Sequence, residues 1–218
     1  MAKFSDDSDI LKYEPILFGE LHVPNQVLAA GTNGALSSTT FTASGEDFVS
    51  ACVTGGGVIY LQSADGLLDG AYEIVSVDST TQLTVSVVRA DPDDEPMAPP
   101  AGDDISYRIT TFGPQASEVG FRLTEYFGIR PGSPGSVYDV DDVLDATVLK
   151  TASVFGVITG IYAMLASKAE DESFWKKSLH YQKLFEQARE RCRLSIDVSG
   201  DGVADITKLG ASVRLVRD

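Results

Sequence analysis

"AYEIVSVDSTTQLTVSVV", residues Ala71 to Val88, contains two runs of β-branched and aromatic residues separated by a turn. In Tyr72–Val77 and again in Leu83–Val88 the side chains repeat with period two, which sends alternate residues to opposite faces of a strand. The intervening "DSTT" is rich in turn formers, so the segment predicts an antiparallel hairpin with one face toward a core. A lone hairpin is marginal in water, and further strands must cover that face.

Those strands lie on either side. "SSTTFT" (Ser37–Thr42), "VIYLQS" (Val58–Ser63) and "ISYRITTF" (Ile105–Phe112) bring the count to about five between Asn25 and Phe112. Five short strands predict a small antiparallel barrel or sandwich closed on itself. "TGGGV" (Thr54–Val58) would cradle phosphate if a helix followed, but a strand follows, so it reads as a turn or bulge. The proline-rich, acidic Ala90–Asp104 segment cannot continue a strand and reads as an exposed loop.

Helical texture flanks the strands. In "SDDSDILKYEP", Ser5 or Asp6 caps a short helix and Pro15 stops it. After a glycine and proline hinge, Gly128–Ser136, a helix capped by Asp141 or Asp142 carries Leu144, Val148, Phe155, Ile158, Tyr162 and Leu165 near helical period. A second helix places Phe174, Tyr181, Leu184, Phe185, Ala188 and Cys192 on one side, and its short link to the first predicts an antiparallel pair. The fold class is therefore α+β: a small helical bundle with an inserted antiparallel β barrel or sandwich and an extended carboxyl-terminal arm. Its divisions are 1–24 (amino-terminal helix of the helical body), 25–112 (inserted β domain), 113–196 (helical domain) and 197–218 (turn and docking arm).

Composition excludes several classes of function. Residues 1–149 hold 23 Asp and Glu against 6 Lys and Arg, a balance of −17, whereas residues 150–218 hold 9 against 11. Affinity for nucleic acid comes mainly from Lys and Arg displacing counterions, so sequence reading of DNA is not expected. Cys52 and Cys192 are far apart in dissimilar segments, which is neither a disulfide framework nor a metal spacing. The acidic amino terminus lacks a secretory pattern, and the apolar window Ala152–Ala166 falls short of the roughly 20 residues that span a bilayer. No membrane partner is expected. His22 and His180 sit among polar neighbours with no companion nucleophile, and no pair of carboxylates is uniquely placed, so the chain reads as no enzyme.

Two features remain. Ala152, Gly156 and Gly160 repeat every fourth residue and form a flat strip for close helix approach, either inside the domain or between subunits. "DVSGDGVADITKLG" (Asp197–Gly210) follows a calcium-loop pattern with Asp197, Ser199, Asp201 and Asp205 at positions 1, 3, 5 and 9. Position 12 is Lys208 where a bidentate Glu belongs. Calcium is thus a possible ligand but not the favoured one. The other reading is a firm turn in which these side chains accept backbone N–H bonds and Gly200 and Gly202 supply positive φ. Beyond it, "ASVRLVRD" alternates apolar and basic residues as a strand or arm.

The succession of short acidic helix, β insert, "LKTASVFGVITGIYAMLAS", "FWKKSLHYQKLFEQARERC" and "SIDVSGDGVADITKLGASVRLVRD" resembles the head-to-tail adaptor (connector) proteins of tailed bacteriophages. The resemblance covers about 100 residues, the helices and the tail, and the β insert departs from the smallest members. It implies a homo-oligomeric ring, commonly of twelve copies, held beneath the portal protein in the virion neck after assembly in the host cytoplasm. One face would receive a stopper or tail protein while DNA passes through without sequence-specific binding. It also implies that the arm, with Leu209, Val213, Arg214, Leu215, Val216 and Arg217, docks on the portal. Deleting Thr207–Asp218 is then expected to leave a folded subunit that no longer joins it. Twelve copies of a −15 chain carry −180 formal charges, a sign that would keep DNA from sticking in a channel. A calcium-dependent binding module, or another neck or tail-completion protein, is the alternative.

Overall fold

The computed structural model describes residues 3–129, 138–169 and 172–210. The chain is of the α+β class and divides into two units, one formed by Asp6–Phe112 and the other by the residues on either side.

The first unit is a closed six-stranded antiparallel barrel. Strands β1 (Val27–Ser37), β2 (Thr40–Ala43), β3 (Val58–Gln62), β4 (Asp69–Val77), β5 (Gln82–Ser86) and β6 (Gly102–Thr110) join in the order β1-β2-β5-β4-β3-β6. Closure leaves no edge strand to template pairing with another chain. The β4–β5 hairpin pairs Val77 with Leu83 and Ile74 with Val85, with a register shift between Ile74 and Ser76. Ile74, Leu83 and Val85 enter a fully buried core with Phe41, Phe48 and Leu61. Phe41 meets Tyr107 edge-on at 5.2 Å between ring centroids, an arrangement the ring quadrupoles favour.

The sixth strand is β1, a glycine- and alanine-rich segment without β-branched periodicity. Its composition has a packing reason. A Cβ added at Gly34 would stand 2.6 Å from the Phe41 ring, and one at Gly31 would stand 2.7 Å from the Tyr107 hydroxyl. The strand gives up side chains so that two large rings can fill the barrel.

Residues 6–24, assigned above to the helical body, cluster with the barrel instead. Helix α1 (Asp7–Leu11) opens with a reciprocal capping box: the Asp6 carboxylate accepts Asp9 N–H at 3.1 Å, and the Asp9 carboxylate accepts Asp6 N–H at 3.3 Å. Burial, with the Asp9 charge beside it, raises the Asp6 pKa from its ordinary value. Ser8 N–H donates to Gly56 O at 2.8 Å, and Phe112 N–H donates to the Asp7 carboxylate at 2.8 Å. These bonds tie α1 to the barrel unit at its glycine turn and at the end of its last strand.

In the second unit, helices α2 (Gly113–Tyr126), α3 (Lys150–Ala169) and α4 (Glu172–Arg191) precede a two-stranded antiparallel sheet of β7 (Arg193–Ile196) and β8 (Ile206–Leu209). Helix α3 begins at Lys150 rather than at Asp141 or Asp142. Two 3-10 turns come first, Val140–Asp142 capped by Asp139 and Ala146–Leu149 capped by Asp145. The Asp145 carboxylate accepts Thr147 N–H at 2.9 Å and so competes with continuous helix. As a result Leu144 and Val148, expected on the apolar face, are exposed. Helices α3 and α4 run antiparallel: Ser178 Oγ donates to Thr159 O at 3.1 Å, and far along the pair Cys192 Sγ donates to Val148 O at 3.2 Å. Tyr162 stacks with Phe174 and Tyr181 between them, at 6.0 and 6.1 Å.

Ala146–Ser167 is long and apolar enough to cross a membrane by length and composition, longer than the window read from the sequence. Here α2 and α4 lie against this helix, and Ala152, Val157, Ile158, Ile161 and Tyr162 are buried.

Candidate functional site

The region from the end of α4 to Gly210 holds five of the residues singled out in the sequence, Asp197, Ser199, Asp201, Asp205 and Leu209. It starts with the turn between β7 and β8. One Asp197 oxygen accepts Gly200 N–H at 2.7 Å and Asp201 N–H at 3.3 Å, and the other accepts Gly202 N–H at 2.7 Å. Asp205 accepts Val198 and Ser199 N–H at 2.9 and 3.0 Å, and Asp201 accepts Val203 N–H at 2.8 Å. Gly200 and Gly202 have φ of 73° and 83°, conformations that favour glycine. Ser199 plays a different part from the one read above, since its hydroxyl donates to Asp197 at 3.2 Å. The carboxylates of the calcium pattern therefore point at backbone amides. Among the described residues no group of three or more His, Cys, Asp or Glu is placed to hold a metal ion.

The Gly202 amide first, then those of Gly200 and Asp201, hold the Asp197 carboxyl below its ordinary value of 3.8. A lowered folded-state pKa stabilises above the unfolded value and ceases to do so as pH falls through the folded one. Acidification from pH 6 to pH 2 is thus expected to loosen the β7–β8 turn below about pH 4, read as a fall in the protection factors of the Gly200 and Gly202 amides relative to the intrinsic exchange rate at each pH. Unchanged protection at pH 2 would contradict the assignment. Because the oxygens already accept amide protons, millimolar calcium is expected to leave the melting temperature unchanged.

Strand β8 ends at a clamp. Gly210 N–H donates to Cys192 O at 3.0 Å, and the Tyr126 hydroxyl donates to Gly210 O. The Arg189 guanidinium lies 4.0 Å over the Tyr126 ring and 5.3 Å over that of Phe185. A Cβ at Gly210 would stand 1.9 Å from Arg189 O, so only glycine fits there. Leu209, just before it, is 59% exposed. The other arm residues, Val213, Arg214, Leu215, Val216 and Arg217, lie outside the described residues.

The small-residue strip divides. Ala152 is fully buried, and a Cβ at Gly156 would meet Val119 at 2.8 Å and Phe185 at 3.2 Å, so α2 and α4 of the same chain occupy that position. Gly160 has no atom within 4 Å of a notional Cβ and faces a groove between α2 and α3 lined by Gln115, Glu118 and Arg122. Gly160→Ala is therefore expected to stabilise the subunit by about 1 kcal/mol, the usual helix-propensity gain. Gly156→Ala is expected to destabilise it by roughly 1 kcal/mol or more, because overpacking outweighs that gain. Thermal denaturation of the two variants checks both signs.

A second groove, of about 420 Å³, opens where α4 meets β7. Phe155, Leu184 and Cys192 line it with Val148, and Arg191 and Arg193 stand among its walls. Cys192, buried beneath, has its thiol pKa raised by desolvation.

On the barrel unit, a clamp not read from the sequence organises the acidic loop after β5. Arg89 pairs with Glu73 at 2.8 Å, with side chains 9% and 6% exposed, and its Nη1 donates to Pro92 O at 2.6 Å and Asp94 O at 2.7 Å. The available signal was a single arginine one residue ahead of "DPDDEP". His180 is exposed, and His22 bonds Gly19 O through Nδ1 at 2.9 Å, so neither is brought to a nucleophile. Comparison with family models, with curated proteins and with solved structures finds no match.

Proposed function

We propose that this chain is a structural neck component of a tailed bacteriophage, a head-to-tail adaptor that performs no chemistry. Copies of it form a ring beneath the portal, probed from one side by a stopper or tail protein, with a channel left open for DNA. In this reading the helices act as a small bundle carrying an extended carboxyl-terminal arm, and the barrel is an insertion. The observation that supports it most is the end of β8, an edge strand braced by the Asp197 turn and clamped at Gly210 just where the arm begins. A strand so fixed launches the arm from a defined point, and an alternating apolar segment there gains main-chain bonds and apolar burial on a partner. The acidic excess of residues 1–149 agrees with a channel that does not retain DNA.

Since β8 pairs with β7, a deletion from Thr207 would strip a strand from Leu194 and Ile196, both fully buried. The cut belongs after Gly210. A chain ending there is expected to keep the wild-type melting temperature and to lose co-sedimentation with the portal protein. Portal binding by that truncated chain at wild-type strength would contradict the arm's role.

A further inference from the structure

We infer that the acidic loop of one copy seats in the arginine-flanked groove of a second copy, which makes this head-to-tail contact the one that builds the ring. The inference rests on the ring reading above and names its interface.

The loop is built as a preformed ligand. Val87 N–H donates to Met97 O at 2.9 Å, and Met97 N–H donates to Ser86 Oγ at 2.8 Å, closing its base. Arg89 holds the Pro92 and Asp94 carbonyls from inside, and Asp91 accepts Asp93 N–H at 3.0 Å. So ordered a loop loses little entropy on docking. Its outer surface is apolar at the centre, where Met97 is 64% exposed beside the exposed Val87 and Val88, and acidic at the margin, where Asp91, Asp93, Asp94 and Glu95 face water. Exposed apolar residues gathered in this way within a polar rim mark an interaction surface.

The groove at the end of α4 has the complementary form. It is concave, floored by Phe155, Leu184 and Cys192, and no acidic residue is among those lining it. Arg191 and Arg193 are exposed, and among the described residues neither has an ion-pair partner. A flexible thioether fills an irregular apolar cleft well, and carboxylates of the loop margin reach two free guanidinium groups. The occupant is a second copy because both halves of the match, an acidic rim around apolar side chains and a basic rim around an apolar floor, belong to this chain. A patch that meets a different patch makes a heterologous contact, which propagates from copy to copy and closes as a ring when the rotation permits. The loop would then lie at the joint between copies and not in the channel.

The test uses two full-length variants, each with exposed substitutions only: a loop variant, D93S/M97S, and a groove variant, R191E/R193E. Sedimentation velocity of wild type is expected to show ring-sized assemblies. Each variant alone is expected to self-associate at least about thirtyfold more weakly, the loss of a hot-spot contact, while melting as wild type does. Mixed in equal amounts, the two are expected to form a two-copy species and stop, since only one intact loop and one intact groove are present in the pair. Rings that survive in both variants would overturn this interface and leave the ring reading standing. Wild type that remains a single copy at every concentration would overturn both. A variant that melts early is replaced by the milder R193S or M97A and judged by the same mixing result.

Discussion

Arg89→Met is expected to destabilise the barrel unit by roughly 3–5 kcal/mol, because it leaves the Glu73 carboxylate buried without its counter-charge. Glu73 is 5% exposed, and in the native chain its two oxygens take the Arg89 guanidinium at 2.8 and 3.3 Å and the Arg89 N–H at 3.1 Å. Each of those bonds involves a charged group, so losing them costs more than losing neutral ones. The double variant Arg89→Met, Glu73→Leu should recover most of the loss, since an apolar pair of similar volume often replaces a buried ion pair without penalty. Denaturant unfolding followed by hydrogen exchange across residues 58–86 separates this unit from the helices. A loss under about 1 kcal/mol for the single variant would mean that water screens the pair. In that case the loop could not be held as described.

Phe41→Ala is expected to cost roughly 3–5 kcal/mol, the usual penalty for emptying a buried aromatic site. Phe41 is fully buried and contacts Phe48 and Tyr107, at 6.4 and 5.2 Å between centroids. The diagnostic part is its coupling to Gly34. Gly34→Ala in the wild-type background is expected to cost about 1–3 kcal/mol through overpacking against the Phe41 ring. With Phe41 already replaced by Ala, the same Gly34→Ala should cost under about 1 kcal/mol, giving a favourable coupling in a double-mutant cycle. Additive effects would show that the Phe41 ring is not what requires glycine at position 34.

The parts of the fold legible in the sequence are those in which local pattern and tertiary role agree. The alternation in Tyr72–Val77 and Leu83–Ser86 places the hairpin in the barrel wall despite the register shift between Ile74 and Ser76, whereas Val87 and Val88, expected to continue the strand, lie exposed beyond the end of β5. Helix β-free texture and charge likewise located α4. Strand β1 carries no such pattern because Gly31 and Gly34 serve rings donated by β2 and β6, partners close only after folding. Helix α2 carries only a weak sequence signal because its buried residues, Ala116, Val119, Gly120, Leu123 and Thr124, include small and polar types that thin the apolar stripe, with Pro114 near its start as the clearest cue. Helix α3 starts later than its apolar period suggests because the capping aspartates Asp139 and Asp145 each close a 3-10 turn first.

At the candidate site, the turn chemistry of Asp197, Gly200 and Gly202 was readable because it is local. The clamp at Gly210 was not, since Tyr126 and Arg189 come from separate helices. Nor does sequence spacing tell which glycine of the Gly156 and Gly160 pair is filled. That depends on Val119 and Phe185, which approach one position and not the other.

A neck protein of the proposed kind works while held among copies of itself. Native mass measurement of the purified full-length chain at micromolar concentration tests that most directly. A single closed species at a fixed multiple of 23.3 kDa is the predicted result. A 23.3 kDa species alone, unchanged by raising the concentration, would contradict it.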